Sequence, residues 1–279
     1  MQDTRAREEH PHPVTVVLPA LNEEEAVGAQ VAALLMDATL RRIGVRRVIV
    51  VDNGSTDRTA EVAAAAGALV VREPRRGYGS ACLAGVLAAP PQDVILLMDA
   101  DGSDDLAGAA RVAQVVICGE ADLAVGSRVR GRIDAGALTA QQRVGNALAA
   151  VLLRALAGVG VSDLGPLRAI RREALLGLDM RERTYGWSTE MLLKAGRAGY
   201  RVEEVPVDSH RRAGGRSKVA GTLIGTMRAS YSIMATFQRY ARWRPASQRD
   251  ASPSARAPQP SAALTAPAPR SGGERAGDG

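Results

Sequence analysis

Two carboxylates separated by one residue, Asp99 and Asp101, are the side chains of this sequence best suited to chemistry. They follow the apolar run 94–98, which predicts a buried strand leading straight into Asp99. On an extended backbone, residues i and i+2 point the same way, so both carboxylates can reach one site. A hard divalent cation prefers oxygen ligands and shares them with substrate phosphates. The spacing indicates a metal site, and a solvated acidic loop continuing through Asp104 and Asp105 is the alternative.

Further polar side chains follow two other apolar runs. Asp52 comes at the end of a predicted strand over residues 48–51. A carboxylate there can accept the N–H of a uracil or guanine base, or it can form a turn before a helix capped by Thr56 or Asp57. Asn22 and Glu23, after the first predicted strand, present a similar choice between helix capping and contact with a base or ribose.

The elements that must position these side chains alternate between β-branched runs and Ala-rich or Leu-rich stretches. Such alternation predicts an α/β fold, a mostly parallel sheet with helices on both faces. The first strand, 14–18, is expected to stop at Pro19, and a helix is expected over 23–42. The other predicted strands cover 48–51, 68–72, 94–98, 122–127, 167–170 and 200–207, and the other helices 57–66, 78–87, 139–156, 188–198 and 218–243.

Ligands of such sheets bind outside the carboxyl ends of the strands. The polar loops 19–25, 52–57 and 99–105 are therefore expected to converge on one edge of the sheet.

The composition is that of an ordinary globular protein. The chain has 279 residues, of which 46% are hydrophobic, 24% charged and only 3% aromatic, so the core must use Val, Leu, Ile and Ala. We expect no spanning helix, because no apolar run reaches about 18 residues. Cys82 and Cys118 lack disulfide or metal-ligand spacing, which predicts buried thiols and a reducing cytosol. The net charge of +6 suits an anionic partner of any class.

Three ordered motifs carry a resemblance to a known family. They are Leu-Pro-Ala-Leu-Asn-Glu-Glu from Leu18, Val-Asp-Asn-Gly-Ser-Thr-Asp from Val51 and Met-Asp-Ala-Asp-Gly from Met98. Together they resemble the family-two nucleotide-sugar glycosyltransferases. The resemblance implies the GT-A fold, a Rossmann-like sheet with an acceptor-binding half, and Mg²⁺ or Mn²⁺ held with the donor diphosphate by Asp99 and Asp101. The implied nucleotide-sugar site comprises Pro19, Ala20, Asn22, Glu23, Asp52, Asn53, Gly54, Asp99 and Ala100.

A narrower likeness covers roughly residues 14–225. Gly126-Ser127-Arg128 and the segment from Arg212 to Lys218 are similar to motifs of the polyprenyl-phosphate sugar synthases. The likeness implies that Arg128 and Arg212 hold an acceptor phosphate and that Lys218 contacts the donor diphosphate. Guanidinium forks match phosphate oxygens, and a lysine offers a mobile point charge. A basic loop that is merely solvated is the alternative. Ser103 lies where such synthases usually carry Gln or a similar residue, which leaves the third position of the metal site unassigned.

Glu190 lies where relatives acting on hydroxyl acceptors keep a catalytic carboxylate. A hydroxyl acceptor needs a general base, whereas a phosphate acceptor is already an anion. Glu190 is therefore either a base or a residue that orders the acceptor loop, and we favour the second.

The sequence as a whole predicts an inverting, metal-dependent hexosyltransferase. Asp101, Arg128, Arg212, Lys218 and Glu190 form its candidate catalytic set. It is expected to move a hexose from GDP-mannose or UDP-glucose to a polyprenyl phosphate. The alternatives are transfer to a soluble hydroxyl acceptor with Glu190 as base, and a non-catalytic nucleotide-sugar-binding protein. Nucleic acid is not expected as a partner, because the basic residues flank glycines without an aromatic stacking platform.

The segment 218–243 is the predicted contact with a membrane. It combines an apolar stripe with arginines and holds four of the eight aromatic residues of the chain, which suits an anionic bilayer surface. Packing on its own domain or on a second subunit, as a homo-oligomer, is the alternative. We expect a flexible N-terminus over 1–12, a GT-A domain over 13–225, an amphipathic helix over 226–244 and a disordered tail over 245–279. The expected location is cytoplasmic, peripheral on the inner face of the cell membrane.

Overall fold

The computed structural model describes residues 13–134, 140–210 and 223–245. They belong to one unit, which ends at Pro245. Within these ranges no helix combines the length and the apolar character needed to cross a membrane. The division of the chain into a domain, a C-terminal helix and a tail stays a prediction.

The described part of the chain forms one seven-stranded sheet. The strands are β1 (Val14–Ala20), β2 (Val45–Asp52), β3 (Leu69–Arg72), β4 (Val94–Leu97), β5 (Leu123–Ser127), β6 (Arg168–Arg171) and β7 (Val202–Pro206). Their order in the sheet is β3-β2-β1-β4-β6-β5-β7. Only β6 among them runs antiparallel to its neighbours, β4 and β5. The predicted mostly parallel α/β sheet is confirmed.

Helices occupy both faces of this sheet. They are α1 (Val27–Met36), α2 (Ala38–Arg42), α3 (Thr59–Ala65), α4 (Tyr78–Ala88), α5 (Leu106–Ile117), α6 (Ala140–Ala157), α7 (Arg172–Gly177), α8 (Trp187–Arg197) and α9 (Leu223–Tyr240). Because side chains alternate along a strand, Val16 and Val17 enter separate hydrophobic clusters, one on each face. The central strands are therefore buried on both sides, as expected for a parallel sheet covered by helices.

Several predicted boundaries were wrong. Pro19 does not stop β1, which continues to Ala20. The pairing of β1 with β4 has already ended at Val17. The N–H that proline lacks therefore interrupts no hydrogen bond there. The helix predicted over 23–42 is two helices, since Asp37 leaves the helical conformation and its side chain accepts a hydrogen bond from the backbone N–H of Leu40. The sequence pattern also did not indicate α5, whose first turns are rich in Ala and Gly.

The two cysteines differ in exposure. Cys82 is buried as predicted, whereas the prediction for Cys118 was wrong, because this thiol is exposed just after α5. Its Sγ atom accepts a hydrogen bond from Gln114 Nε2, 3.2 Å away.

The end of α9 packs on its own domain. Phe237 and Tyr240 are 3% and 6% exposed and join the cluster that contains Trp187 of α8. Lys194 Nζ lies 4.6 Å from the ring centroid of Tyr240 and 5.1 Å from that of Trp243. Three of the four aromatic side chains in the predicted membrane segment are therefore engaged within the protein.

Candidate functional site

One edge of the sheet gathers the polar loops. β1, β2 and β4 are mutually parallel neighbours, so the loops that follow them emerge together. β6 reverses direction relative to β4, and β5 reverses again, so β5 and β7 end at this same edge. The predicted convergence of loops 19–25, 52–57 and 99–105 is confirmed, and the loops after β5 and β7 join them.

The first two loops are fastened to each other by hydrogen bonds. Asn53 N donates to the Ala20 carbonyl oxygen at 2.9 Å, and Asn22 N donates to Ser55 Oγ at 3.0 Å. The Asn22 side chain accepts from Thr56 N at 2.8 Å. Asn22 has a φ of 51°, a left-handed conformation that asparagine tolerates better than most residues. Its side-chain oxygen therefore holds the second loop rather than capping its own helix.

The helix start after β1 depends on the second loop as well. The buried Glu23 donates its backbone N–H to Thr59 Oγ1 at 2.8 Å. Asp57 accepts hydrogen bonds from the N–H and hydroxyl of Thr59, the first residue of α3. Burial raises the pKa of the Asp57 carboxyl, but these hydrogen bonds outweigh it and the pKa lies below its usual value. The N-cap position of α3 is Arg58, so the residue predicted to cap this helix, Thr56 or Asp57, lies before the cap.

Asn53 has a structural task within this edge. Its amide nitrogen donates to the carbonyl oxygens of Glu73 and Arg75, both at 2.9 Å, and its Oδ1 accepts from Gly77 N at 2.7 Å. The side chain is 5% exposed. Asn53 therefore fixes the 73–77 segment, while the neighbouring Asp52 is half-buried and accepts from Ser55 N.

The Asp99–Asp101 segment is a turn. The assumption of an extended backbone was wrong, because Ala100 and Asp101 lie in a turn completed by Gly102 at a φ of 75°. Asp99 is half-buried and Asp101 is 3% exposed. Asp101 Oδ1 accepts from Ser103 N at 2.9 Å, so this carboxylate orders its own loop.

Asp104 adds a third carboxylate to this loop. Its Oδ2 accepts from Asp99 N at 3.1 Å, and its side chain is buried. Burial and the charge of Asp101 raise the pKa of Asp104 to about 6, against the opposing effects of that hydrogen bond and of Arg128. Within the described ranges, no group of three or more His, Cys, Asp or Glu side chains adopts a metal-binding arrangement.

Arg128 follows β5 and is held by Asp163. Asp163 Oδ2 accepts from Arg128 N and Nε at 3.0 and 2.8 Å, and Oδ1 accepts from Arg128 Nη2 at 2.9 Å. Burial lowers the pKa of Arg128, but the hydrogen bond and charge of Asp163 and the charges of Asp104 and Asp99 outweigh it and raise the pKa. The Arg128 guanidinium thus shares one electrostatic environment with the acidic loop.

Sequence reasoning missed Asp163 and its surroundings. Asn146 Nδ2 donates to Asp163 Oδ1 at 2.6 Å, and Glu204 Oε1 accepts from the backbone N–H groups of Ser162 and Asp163. One sequence signal could have drawn attention to Asp163, because it is the only acidic residue between Asp134 and Glu173. Its partner Arg128 lies 35 residues away, and no local pattern encodes that pairing.

A second missed residue, Arg168, supports the same loop. It is 1% exposed, and it donates to the carbonyl oxygens of Gly165, Leu164 and Ser188. Burial lowers the pKa of Arg168 to about 10. A fully buried guanidinium satisfied by backbone carbonyls fixes the path of the chain from Asp163 into β6.

The loop after β7 contacts both the acidic loop and the segment 132–134 that follows Arg128. Ser209 forms bridges with both Asp104 and Ile133, and His210 N donates to the Ser103 carbonyl oxygen at 3.0 Å. The predicted phosphate ligands Arg212 and Lys218 follow in the sequence and lie outside the described residues.

Glu190 is fully buried and lies in α8. Its two carboxylate oxygens accept from Arg181 N at 2.9 and 3.0 Å and from Glu182 N at 2.7 Å. The Glu190 Oε1 atom also lies 2.7 Å from Lys194 Nζ, and both side chains are 0% exposed. This carboxylate orders the 181–182 backbone and is enclosed by the protein.

Comparison with known proteins identifies the family of the chain. The family model described as Glycosyl transferase family 2 matches residues 15–177. An uncharacterized glycosyltransferase of Mycobacterium tuberculosis is 45% identical over 215 residues, which cover 77% of this chain and 93% of that protein. A dolichyl-phosphate hexose transferase of Haloferax volcanii is 34% identical over 202 residues, covering 72% of this chain and 84% of that protein.

A solved structure shows the same fold. It is the glucosyl-3-phosphoglycerate synthase of Mycobacterium tuberculosis in complex with Mn²⁺, uridine diphosphate and glucosyl-3-phosphoglycerate. The TM-score is 0.65 at 23% identity, over 82% of this chain and 80% of that chain. The likeness confirms the GT-A type of fold, and the family match confirms the predicted class of enzyme. The chain belongs to glycosyl transferase family 2.

Proposed function

We propose that this enzyme is an inverting hexosyltransferase that moves a hexose from a nucleotide-sugar to a polyprenyl phosphate. The burial of Glu190 carries the choice of acceptor. A hydroxyl acceptor needs a general base, and the carboxylate expected for that task is 0% exposed and bound by two backbone N–H groups and Lys194. A phosphate acceptor attacks as an anion and needs no base.

The donor half of the proposal rests on the loops after β1, β2 and β4. Asp52 is half-buried, and its carboxylate is suited to accept a base N–H, beside Pro19, Ala20 and Gly54. Asp99 and Asp101 supply hard oxygen ligands that fit Mg²⁺ or Mn²⁺ shared with a diphosphate. When bound, that cation would offset negative charge on the leaving diphosphate. The related fold that carries Mn²⁺ and uridine diphosphate supports this assignment.

The acceptor half rests on Arg128. Its planar fork is fixed by Asp163, and its side chain keeps 19% of its surface exposed, enough to meet a phosphate. Arg212 and Lys218, which follow His210 in the sequence, are proposed as further phosphate ligands. The relative named as a dolichyl-phosphate hexose transferase supports a polyprenyl phosphate acceptor.

In the proposed reaction, an acceptor phosphate oxygen attacks the anomeric carbon from the face opposite the departing nucleoside diphosphate. A new C–O bond forms as the bond to the diphosphate breaks, so the anomeric configuration inverts. Arg128 orients the attacking phosphate, and Lys218 stabilises the negative charge that develops on the leaving group. The products are a polyprenyl-phosphate hexose and a nucleoside diphosphate.

The test is a matrix of donors and acceptors with the full chain. UDP-glucose and GDP-mannose are each incubated with a polyprenyl phosphate, with 3-phosphoglycerate, or with no acceptor, in the presence and absence of Mg²⁺. Nucleotide release and the mass of the glycosylated product are measured. We expect metal-dependent transfer to the lipid phosphate with one donor. Transfer to 3-phosphoglycerate or another water-soluble hydroxyl, with none to the lipid phosphate, would overturn the proposal.

A further inference from the structure

Helix α6 presents an apolar stripe to solvent. Val144, Leu148 and Val151 lie at positions i, i+4 and i+7, on one face of the helix, and are 72%, 52% and 64% exposed. On the opposite face, Ala149 and Leu153 are 1% and 0% exposed and belong to the core. Single exposed apolar residues are ordinary on a protein surface, whereas an aligned set marks a contact surface.

The charged residues of helix α6 are of one sign. Between Asp134 and Asp163 the sequence contains no acidic residue, and its charged residues there are Arg143 and Arg154. Both arginines are exposed. They lie eleven residues apart, close to three helical turns, so they line the same flank of the stripe. An apolar stripe beside a basic flank is the pattern of a helix lying in an anionic membrane surface.

We propose that this face of α6 rests in the surface of an anionic bilayer. Val144, Leu148 and Val151 enter the boundary between headgroups and acyl chains, and Arg143 and Arg154 meet the headgroup phosphates. The inference deepens the proposed function, because a polyprenyl phosphate lies in a bilayer. It takes the place of Phe237 and Tyr240 of α9, which belong to the core.

The buried side of α6 connects this surface to the site. Asn146 lies on that side and donates to Asp163, the residue that holds Arg128 by three hydrogen bonds. Through Asn146 and Asp163, helix α6 is therefore linked to the guanidinium proposed to bind the acceptor phosphate.

Charge also distinguishes a bilayer from the other possible occupants. Antiparallel pairing of two copies through the stripe sets Arg143 of one copy beside Arg154 of the other, with no acidic residue on α6 to compensate. The segment 246–279 contains a single large aliphatic residue, Leu264, and so offers little to cover three. An anionic lipid surface can bury the apolar stripe and pair with the arginines beside it.

Vesicle binding by the full chain tests the inference without any substrate. The vesicles contain phosphatidylcholine alone or an equimolar mixture with phosphatidylglycerol, and binding is measured by co-sedimentation. The variant Val144→Gln/Leu148→Gln/Val151→Gln removes the stripe with residues that favour helix. A matched control, Met36→Gln/Leu69→Thr/Leu87→Gln, removes three apolar side chains that are 76%, 49% and 56% exposed elsewhere.

We expect the wild type and the control to bind the mixed vesicles, and the stripe variant to bind them about tenfold or more weakly. Arg143→Gln/Arg154→Gln is expected to weaken binding to the mixed vesicles by about tenfold and to reduce its salt dependence. If circular dichroism shows that the stripe variant is unfolded, the arginine variant is compared with the wild type instead. Equal binding by the stripe variant and the wild type, or no binding by the wild type, would overturn the inference.

Activity separates this inference from the proposed acceptor. With a short, water-soluble polyprenyl phosphate and no vesicles, the stripe variant should keep the wild-type rate. The wild type could bind vesicles through α6 and yet transfer sugar only to a soluble hydroxyl. That result would refute the proposed acceptor and still support α6 as a membrane-binding surface. A stripe variant that changes from dimer to monomer, with neither protein binding vesicles, identifies the face as a self-association surface and refutes the inference.

Discussion

The Asp163 carboxylate receives three hydrogen bonds from Arg128, one from its backbone N–H and two from its guanidinium. Asp163 is 1% exposed, so the carboxylate belongs to the interior while the guanidinium reaches the edge of the sheet. Asp163 therefore fixes the orientation of the Arg128 side chain at the proposed acceptor site.

Replacing Asp163 should affect both stability and the acceptor. We expect Asp163→Asn to lower the free energy of unfolding by about 2–3 kcal/mol, because it breaks a buried charged hydrogen-bond pair. We also expect the KM for the acceptor to rise about tenfold, since Arg128 loses its fixed orientation. Urea unfolding and initial rates measure the two effects.

The matched control is the exposed pair of Asp122 and Arg201, whose guanidinium also bonds both carboxylate oxygens. Asp122→Asn should change the free energy of unfolding by less than about 1 kcal/mol and leave the KM unchanged. An acceptor KM that stays at the wild-type value in Asp163→Asn would contradict the proposed role of Arg128.

The same pair predicts a pH dependence of stability. Burial raises the pKa of Asp163, but the hydrogen bond and charge of Arg128 outweigh it, and the pKa lies below its ordinary value. A carboxyl with a depressed pKa stabilises the fold above its unfolded pKa, about 3.9, and loses that contribution as the pH falls through the folded pKa. The difference in unfolding free energy between wild type and Asp163→Asn should therefore be constant near neutral pH and shrink in acid. A difference that grows on acidification would refute this assignment.

Glu190 and Lys194 should behave as one structural unit. Glu190→Gln leaves the buried Lys194 ammonium without its counter-charge, so we expect a loss of about 3 kcal/mol in unfolding free energy. The double variant Glu190→Gln/Lys194→Met removes both charges and should regain part of that loss. Unfolding measurements on the two single variants and the double variant give the coupling free energy.

Turnover then distinguishes structure from catalysis at Glu190. Per folded molecule, Glu190→Gln should keep its kcat within about threefold of wild type, whereas removal of a general base costs about 10²-fold or more. A loss of the larger size, with an altered pH profile, would identify Glu190 as the base and favour a hydroxyl acceptor.

Asp101→Asn tests whether the negative charge of Asp101 is needed to bind the metal. The asparagine retains the Oδ1 atom that accepts from Ser103 N, so the turn should persist while the negative charge is lost. We expect kcat/KM for the nucleotide-sugar to fall about 100-fold, and the concentration of Mg²⁺ or Mn²⁺ needed for half-maximal rate to rise.

Asp105→Asn is the control from the same acidic stretch. Asp105 caps α5 by accepting from Ala107 N and Gly108 N, and asparagine is also a favourable capping residue. Its rate and metal dependence should match the wild type. Equal losses in the two variants would show that Asp101 acts through loop structure alone.

The strands that were predicted correctly are encoded by local sequence patterns. The apolar runs that became β1, β2 and β4 are readable because burial on both faces requires uninterrupted aliphatic residues. The predictions that failed depended on context that such patterns lack. The break at Asp37 needed a side-chain hydrogen bond, and the turn at Ala100–Asp101 replaced the extended backbone on which the metal prediction was argued.

The sequence by itself determined the sheet, the edge on which its polar loops meet and, through the order of three motifs, the family. These properties follow from the chemistry of short segments and from the direction of parallel strands. Tertiary structure alone decided that Asp163 holds Arg128, that Glu190 is enclosed against Lys194, and that α9 turns Phe237 and Tyr240 inward. Those outcomes join residues brought together only by folding, and their burial depends on which helix covers which face.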